Sequence, residues 1–314
     1  MENQNKKALI LFSGGLDSRV AAKMMEEQGL EVHLAFVKLP FGGGCGTPMA
    51  GVLEFAESQN FKLHIIDATE GDKFLEYVNI IKNPKFGTGS GINPCKDCKI
   101  FIFIEGAKLA KELGAEVIVT GEVQGQRPMS QKKNTMLFDD EVAGLTGKIL
   151  RPLSAKLLPE TEYEKSGIVD REKLLDIEGR RREVQMKMAD KYNIKYPGSG
   201  GGCVLCEKEY SKRLKALYEY RGDETPSYQE ILFLKRGRMY KASGLLFVGR
   251  NYEENVLLEK IATDLKWNID KNEVTPGPTV VYDKSEDSEL AEELRIAFAQ
   301  KDLAQRAKFN EYKI

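Results

Sequence analysis

Apolar residues in this chain fall in short runs separated by longer amphipathic stretches. Residues 8–12, 31–37, 61–66 and 116–120 are brief apolar, β-rich segments. Residues 18–28 and 49–59, lying between the first three, and 101–113, lying ahead of the fourth, repeat their apolar positions at helical spacing. Strand and helix in alternation predict an α/β fold with a doubly wound parallel sheet. Ligands of such a sheet gather at the carboxyl ends of the strands, where Ser13, the Gly42-Gly43-Gly44 loop and Gly121 fall. A fifth strand is expected around 148–153. Beyond Pro159 the pattern turns helical and charged, with a break at Tyr196-Pro-Gly-Ser-Gly-Gly-Gly202. From about Asp223 it changes again, to strands at 228–234, 239–243, 245–248 and 276–282 with a helix at 254–264. The expected division is therefore 1–160, 161–222 and a smaller C-terminal α+β module, 223–314.

With 314 residues and a net charge of -1, the chain can bury a sizeable core but offers no global field toward a polyanion. Any such partner must meet a local patch. Residues 171–196 supply one, with eight Lys/Arg against five Asp/Glu, although a solvated helix face has the same composition. No stretch has the roughly 18 apolar residues of a membrane span, and no hydrophobic signal core follows Met1, so a cytoplasmic protein without membrane association is expected. In that compartment the five cysteines point to metal or redox chemistry rather than disulfides.

Two motifs carry chemistry. Ser13-Gly14-Gly15-Leu16-Asp17-Ser18 follows an apolar strand and leads into a helix, so glycine-rich backbone N–H groups and a helix N-terminus face the same point. That is a phosphate site, though it lacks the Gly-Lys-Ser/Thr ending of the mononucleotide loop and the spacing of the dinucleotide fingerprint. The second motif is a pair of Cys-x-x-Cys spacings. Cys95 and Cys98 stand just before a helix, and Cys203 and Cys206 follow a glycine loop. Four sulfurs suit tetrahedral zinc, while three suit a four-iron cluster with one iron open. Cys45 stands alone in its own glycine-rich loop.

Taken together these residues resemble the PP-loop ATP pyrophosphatases, and over residues 7–125 the tRNA-specific 2-thiouridylases: Ser13-Gly-Gly-Leu-Asp-Ser18, Asn93-Pro-Cys-x-x-Cys-Lys99 and Val119-Thr-Gly121. Ile149-Leu-Arg-Pro-Leu153 is similar to a motif of the related cytidine and uridine thiolases. Gly179-Arg-Arg-Arg182, Tyr196-Pro197 and Gly201-Gly-Cys203 are similar to a thiouridylase-like subgroup in which Cys203 is the functional cysteine and Cys206 an extra. Thr120-Gly121-Glu122-Val123 stands where two-cysteine thiouridylases have Thr-Gly-His-Tyr, so the pattern Cys95, Cys98, Cys203 looks more like the iron–sulfur-dependent tRNA thiolases. In the C-terminal module, Gly244-Leu-Leu-Phe-Val-Gly-Arg-Asn251 resembles the small RNA-binding domain of ribosome quality-control factors.

The resemblance implies a Rossmann-like ATP-binding domain and ATP-dependent thiolation of a tRNA uridine. Ser13, Gly14, Gly15, Asp17, Ser18 and Gly121 would surround the phosphates, Asp17 would place Mg2+, and backbone near Phe36 and Val37 would meet adenine. Cys95, Cys98 and Cys203 would hold a [4Fe-4S] cluster, with zinc and Cys206 as the alternatives, or would carry a persulfide. Arg180, Arg181 and Arg182 on a basic helix, with Arg250 and Asn251, would bind tRNA. Sulfide or a persulfide carrier would be the sulfur donor, and a homodimer is left open. An amidating ligase of the same superfamily and a non-catalytic, zinc-stapled RNA-binding protein are the competing readings.

Overall fold

The structure, a computed structural model, describes residues 6–42, 48–127, 130–198, 202–300 and 303–314. The chain forms two compact units, Met1–Cys203 and Val204–Ile314. Cys45 and most of its glycine loop lie outside the described residues.

The first unit is built on a parallel sheet of β1 (Lys7–Leu11), β2 (Glu31–Lys38), β3 (Lys62–Asp67) and β4 (Val117–Thr120), in the order β3-β2-β1-β4. The strands read as near-continuous apolar runs because both faces are covered. Ala8, Ile10, Phe12, Leu34, Phe36, Val117 and Val119 share one buried cluster with α1 (Leu16–Glu27) and α2 (Met49–Ser58). α3 (Gly71–Lys82) and α4 (Cys95–Leu113) follow, and Gly106 of α4 lies against Leu11 of β1. The fifth strand expected at 148–153 is a single bridge, Val119↔Leu150, held by Thr120 N–H to Leu150 O and Leu150 N–H to Ile118 O at 2.9 Å each. Arg151 then leaves the ladder and Pro152 has no N–H to continue it.

The expected boundary at residue 160 is not where the units part. After α5 (Lys133–Val142) and α6 (Glu162–Lys165), the residues Tyr163, Val169, Leu174, Ile177, Ala189 and Ile194 enter the same core as the strands. Residues 161–203 thus belong to the first unit. α7 (Glu183–Lys191) begins after the three arginines, so Arg180 and Arg181 are loop residues and Arg182 stands at the N-cap position without a side-chain capping bond. Segment 178–179 is pinned instead, by a bridge between Gln124 and Glu178 and by Gly179 N–H to Gln124 O at 2.7 Å.

The second unit carries α8 (Lys208–Arg221), α9 (Tyr228–Phe233), β5 (Arg238–Lys241), β6 (Leu245–Val248), α10 (Tyr252–Leu265), β7 (Asn268–Asp270), β8 (Val280–Tyr282), α11 (Ser288–Ala299) and α12 (Leu303–Ala307). Its sheet is antiparallel, in the order β5-β6-β8-β7. Residues 228–234, expected as strand, form α9. A reciprocal cap decides this: Ser227 and Glu230 each satisfy the other's backbone N–H, which outweighs the β preference of Tyr228 and Ile231.

The end of β4 and the start of α1 meet with almost no space between them. A Cβ on Gly121 would stand 2.5 Å from Ser18 N and 2.7 Å from the Asp17 carbonyl carbon, both backbone atoms with no room to move. Gly121→Ala should therefore lower unfolding stability by about 1–3 kcal/mol through overpacking, read as a reduced urea midpoint at unchanged m-value.

Candidate nucleotide and thiol site

The loop after β1 turns at Gly14, whose φ of 78° is the left-handed region that favours glycine. Gly15 is the N-cap of α1, and no side chain caps that helix, so its first-turn N–H groups face outward from the strand end. Ser18 Oγ donates to Gly15 O at 2.9 Å, and Ser13 Oγ lies 3.3 Å from Ser18 Oγ. Arg19 braces the turn from behind. Its Nε donates to Gly14 O at 2.8 Å, its two amino groups to Lys195 O and Gly51 O, and its guanidinium stacks 4.6 Å from the Phe55 ring. Local spacing gives no sign of this buried arginine, because its acceptors are carbonyls up to 176 residues away.

Asp17 is the centre of a second group of side chains. Its Oδ2 accepts from Gln126 Nε2 at 3.1 Å and lies 3.7 Å from an Arg182 amino group, while Oδ1 has no hydrogen-bond partner. Burial pushes its carboxyl above the usual range, against the opposing pull of Arg182, Gln126 and Gln185. Gln185, on the first turn of α7, is fully buried beside this carboxylate, yet neither of its amide atoms meets hydrogen-bond geometry with any group. Arg182 Nε is likewise unpaired. Each such buried polar atom costs about 1–3 kcal/mol, and here they converge on one carboxylate at the phosphate loop. Gln126 and Gln185 were not among the expected site residues, and Arg182 was expected to contact RNA. Arg180 and Arg181 are exposed, and Arg181 lines a 280 Å³ cleft with Asp176, Glu178 and Glu183.

Phe36 and Val37 lie at the carboxyl end of β2, buried, with Phe36 in the core, which leaves their backbone as the part a base could meet. Cys95 and Cys98 occupy the first turn of α4, half-buried, three residues apart, and Tyr77 Oη is 3.1 Å from Cys98 Sγ. Asp97 between them accepts from Lys85 N–H and Phe86 N–H, which ties the preceding loop to the helix start. Cys203 ends the first unit and Cys206 opens the second, and none of the four thiols is in a disulfide. Among the described residues no group of three or more His, Cys, Asp or Glu is placed to hold a metal ion. The pair Cys95–Cys98 therefore suits a soft metal by donor type, but the three-thiol set with Cys203 is not gathered there.

Behind the thiols runs a buried ion network that the sequence did not announce. Lys99 Nζ is 2.7 Å from Glu122 Oε1 and 3.2 Å from Asp139 Oδ2; Arg151 meets Glu122 at 3.0 Å and grips Asp140 with two bonds of 2.7 Å. Burial would lower the Lys99 pKa, but the carboxylates of Glu122 and Asp139 hold it above its ordinary range. Burial would likewise raise Glu122, yet the two cations keep it low. Asp139 differs, since burial pushes it up to about 6 despite Lys99.

In the second unit the expected RNA contacts have local partners. Asn251 caps α10 by accepting from Glu254 N–H at 2.9 Å, and Arg250 pairs with the Glu254 carboxylate.

A parallel sheet whose first strand runs through a Gly-Gly turn into an open helix N-terminus is an α/β fold with a turn suited to an anionic ligand. Residues 3–156, just under half of the chain, match the family described as Thiamine biosynthesis protein (ThiI). Among curated proteins, the tRNA-specific 2-thiouridylase MnmA of Campylobacter curvus is 35% identical over 118 residues, 37% of this chain and 34% of its own length. The chain thus spans about a third of the first relatives it matches. The tRNA-specific 2-thiouridylase MnmA of Clostridioides difficile is 25% identical over 261 residues, 76% of this chain and 67% of that one. The solved U34-tRNA thiolase NcsA from Methanococcus maripaludis with its [4Fe-4S] cluster aligns over 74% of this chain and 72% of its own, at 16% identity and a TM-score of 0.36. No helix among the described residues is long and apolar enough to cross a membrane.

The Asp139 shift has a definite consequence for stability. A carboxyl with a folded pKa near 6 binds more protons than in the unfolded chain between about pH 4 and 6, so this group makes stability fall as pH rises through that window. Asp139→Asn should match the wild type near pH 4 and exceed it by about 2–3 kcal/mol above pH 6, by about 1.4 kcal/mol per pKa unit. Urea unfolding of both proteins at pH 4, 5, 6 and 7.5 measures the difference.

Proposed function

We propose that the protein is an ATP-dependent tRNA sulfurtransferase, which activates a uridine carbonyl oxygen as an adenylate and replaces it with sulfur. The observation that carries this reading is Glu122. It follows Gly121, which packs on the start of α1 at the phosphate loop, and it pairs with Lys99, which follows Cys98. One strand end thus joins a triphosphate-binding turn to a pair of thiols, the two functions that oxygen-to-sulfur exchange requires. The names of the curated relatives support the same substrate class.

In the reaction, the uridine oxygen attacks the α-phosphorus of ATP and pyrophosphate leaves. Sulfur then adds to the activated carbon and AMP departs with the oxygen, a far better leaving group than the bare oxyanion. The backbone N–H groups of Gly14 to Asp17 and the α1 dipole suit the departing pyrophosphate charge, and Asp17 suits Mg2+. In a persulfide route, the outer sulfur on Cys95 or Cys98 attacks the carbon. The other thiol then attacks the inner sulfur, leaving thiouridine and a Cys95–Cys98 disulfide that a thiol reductant must reopen. In the iron–sulfur reading, Cys95, Cys98 and Cys203 would have to come together as the ligands of a [4Fe-4S] cluster, which would hold sulfide delivered by the sulfur donor. Exposed Arg180 and Arg181, and Arg250 with Asn251 in the second unit, are the proposed tRNA contacts.

Asp17→Ala should reduce thiolation of bulk tRNA, followed by retardation in mercury-containing gels, by at least about a hundredfold, with its urea midpoint retained. Wild-type activity in this variant would sink the assignment. Iron and zinc analysis of anaerobically purified protein separates the two sulfur routes. Iron that is lost in Cys203→Ser supports the cluster, whereas stoichiometric zinc without iron in an active protein excludes it.

A further inference from the structure

The run Arg180-Arg181-Arg182 reads as one basic patch, but the fold divides it. Arg180 and Arg181 are exposed, whereas Arg182 turns inward to Asp17 and its side chain is only 28% exposed. The division is imposed from both ends. Upstream, Gly179 is bonded to Gln124, so the segment runs beside the loop that presents Gln126 to Asp17. Downstream, α7 lies along α1 in the same direction: Arg182 at its start faces Asp17, and Lys191 and Tyr192 at its end bond Glu27 at 2.7 and 2.6 Å. Lys195 O accepts from Arg19, which also holds Gly14 O. The arginine is therefore fixed to the phosphate loop by its scaffold, not by its own ion pair.

We propose that Arg182, with the buried amide of Gln185, is part of the nucleotide site and binds a phosphate of Mg2+-bound ATP. This inference rests on the nucleotide reading of the Ser13–Ser18 loop. Its independent support is Gln185, fully buried beside Asp17, whose carboxyl it pulls down although neither of its amide atoms reaches full hydrogen-bond geometry, together with the unpaired Nε of Arg182. A lone Asp17–Arg182 bridge at 3.7 Å uses one amino group of a guanidinium that carries five N–H donors. A divalent cation at Asp17 would repel Arg182 from the carboxylate, and the phosphate oxygens that accompany the cation would receive it. A guanidinium suits that exchange, because its planar fork matches two phosphate oxygens at once. Gln185 can donate to the same phosphate or hold the carboxylate as the arginine leaves.

The test separates phosphate binding from RNA binding, using calorimetry with magnesium pyrophosphate and with MgATP, and salt titration of tRNA binding. Arg182→Ala should weaken both magnesium pyrophosphate and MgATP by about 10–100-fold, the range of a charged hydrogen bond. Its slope of log K against log salt for tRNA should stay that of the wild type. Arg182→Lys, which keeps the charge but loses the fork, should fall between, and it carries the test if the alanine variant does not fold. The double variant Arg180→Ala, Arg181→Ala should do the reverse, keeping pyrophosphate affinity while lowering the salt slope by about one to two units. Wild-type pyrophosphate affinity in Arg182→Ala overturns the proposal, as does a lowered tRNA salt slope in that variant alone. A wild-type protein that binds neither magnesium pyrophosphate nor MgATP would overturn the nucleotide reading itself.

Discussion

The buried carboxylate of Glu122 is the joint on which the first unit turns. Its two oxygens meet Lys99 on the thiol helix and Arg151 beyond the last strand, at 2.7 and 3.0 Å. Its backbone neighbour Gly121 touches the start of α1. A carboxylate taken so far from water survives only with both cations in place, and removing one partner of such a pair typically costs about 3–5 kcal/mol. The network holds two cations against three carboxyls, and the raised Asp139 is where that imbalance is absorbed. Three separate segments, 95–99, 121–122 and 149–151, thus have one permitted arrangement. The thiol pair and the phosphate loop inherit their positions from it.

Unpaired polar atoms are distributed with the same logic. Arg19 donates from each of its three nitrogens to a backbone carbonyl and braces the turn. Asp17, Arg182 and Gln185 beside it are left partly unsatisfied. Rigid support beneath an under-satisfied polar cluster is how a site is kept ready for a charged ligand rather than collapsed upon itself. The second unit behaves differently. Its conspicuous Arg250 and Asn251 are already engaged with Glu254 and the α10 terminus, so any RNA contact there has to compete with a helix cap.

Much of this was legible in the residue order because it is local. Short apolar runs and period-3.6 patterns pointed to the four parallel strands and the helices between them, the Gly-Gly turn joins β1 to α1 as its residues suggested, and Cys95 and Cys98, expected just before a helix, form its first turn. Where local signals competed, the reading failed: the Ser227–Glu230 cap made a helix of an apolar β-like run. The fifth strand shrank to one bridge because Pro152 ends the ladder. What only tertiary structure decided is which charges meet. Lys99 with Asp139, Arg151 with Glu122 and Arg182 with Asp17 are separated by 29 to 165 residues. Ion pairing depends on distance in space and on the exclusion of water, and neither is written in spacing along a chain. An arginine run therefore looks uniform in sequence, and the fold alone determines that two of its members face solvent and one faces the phosphate loop.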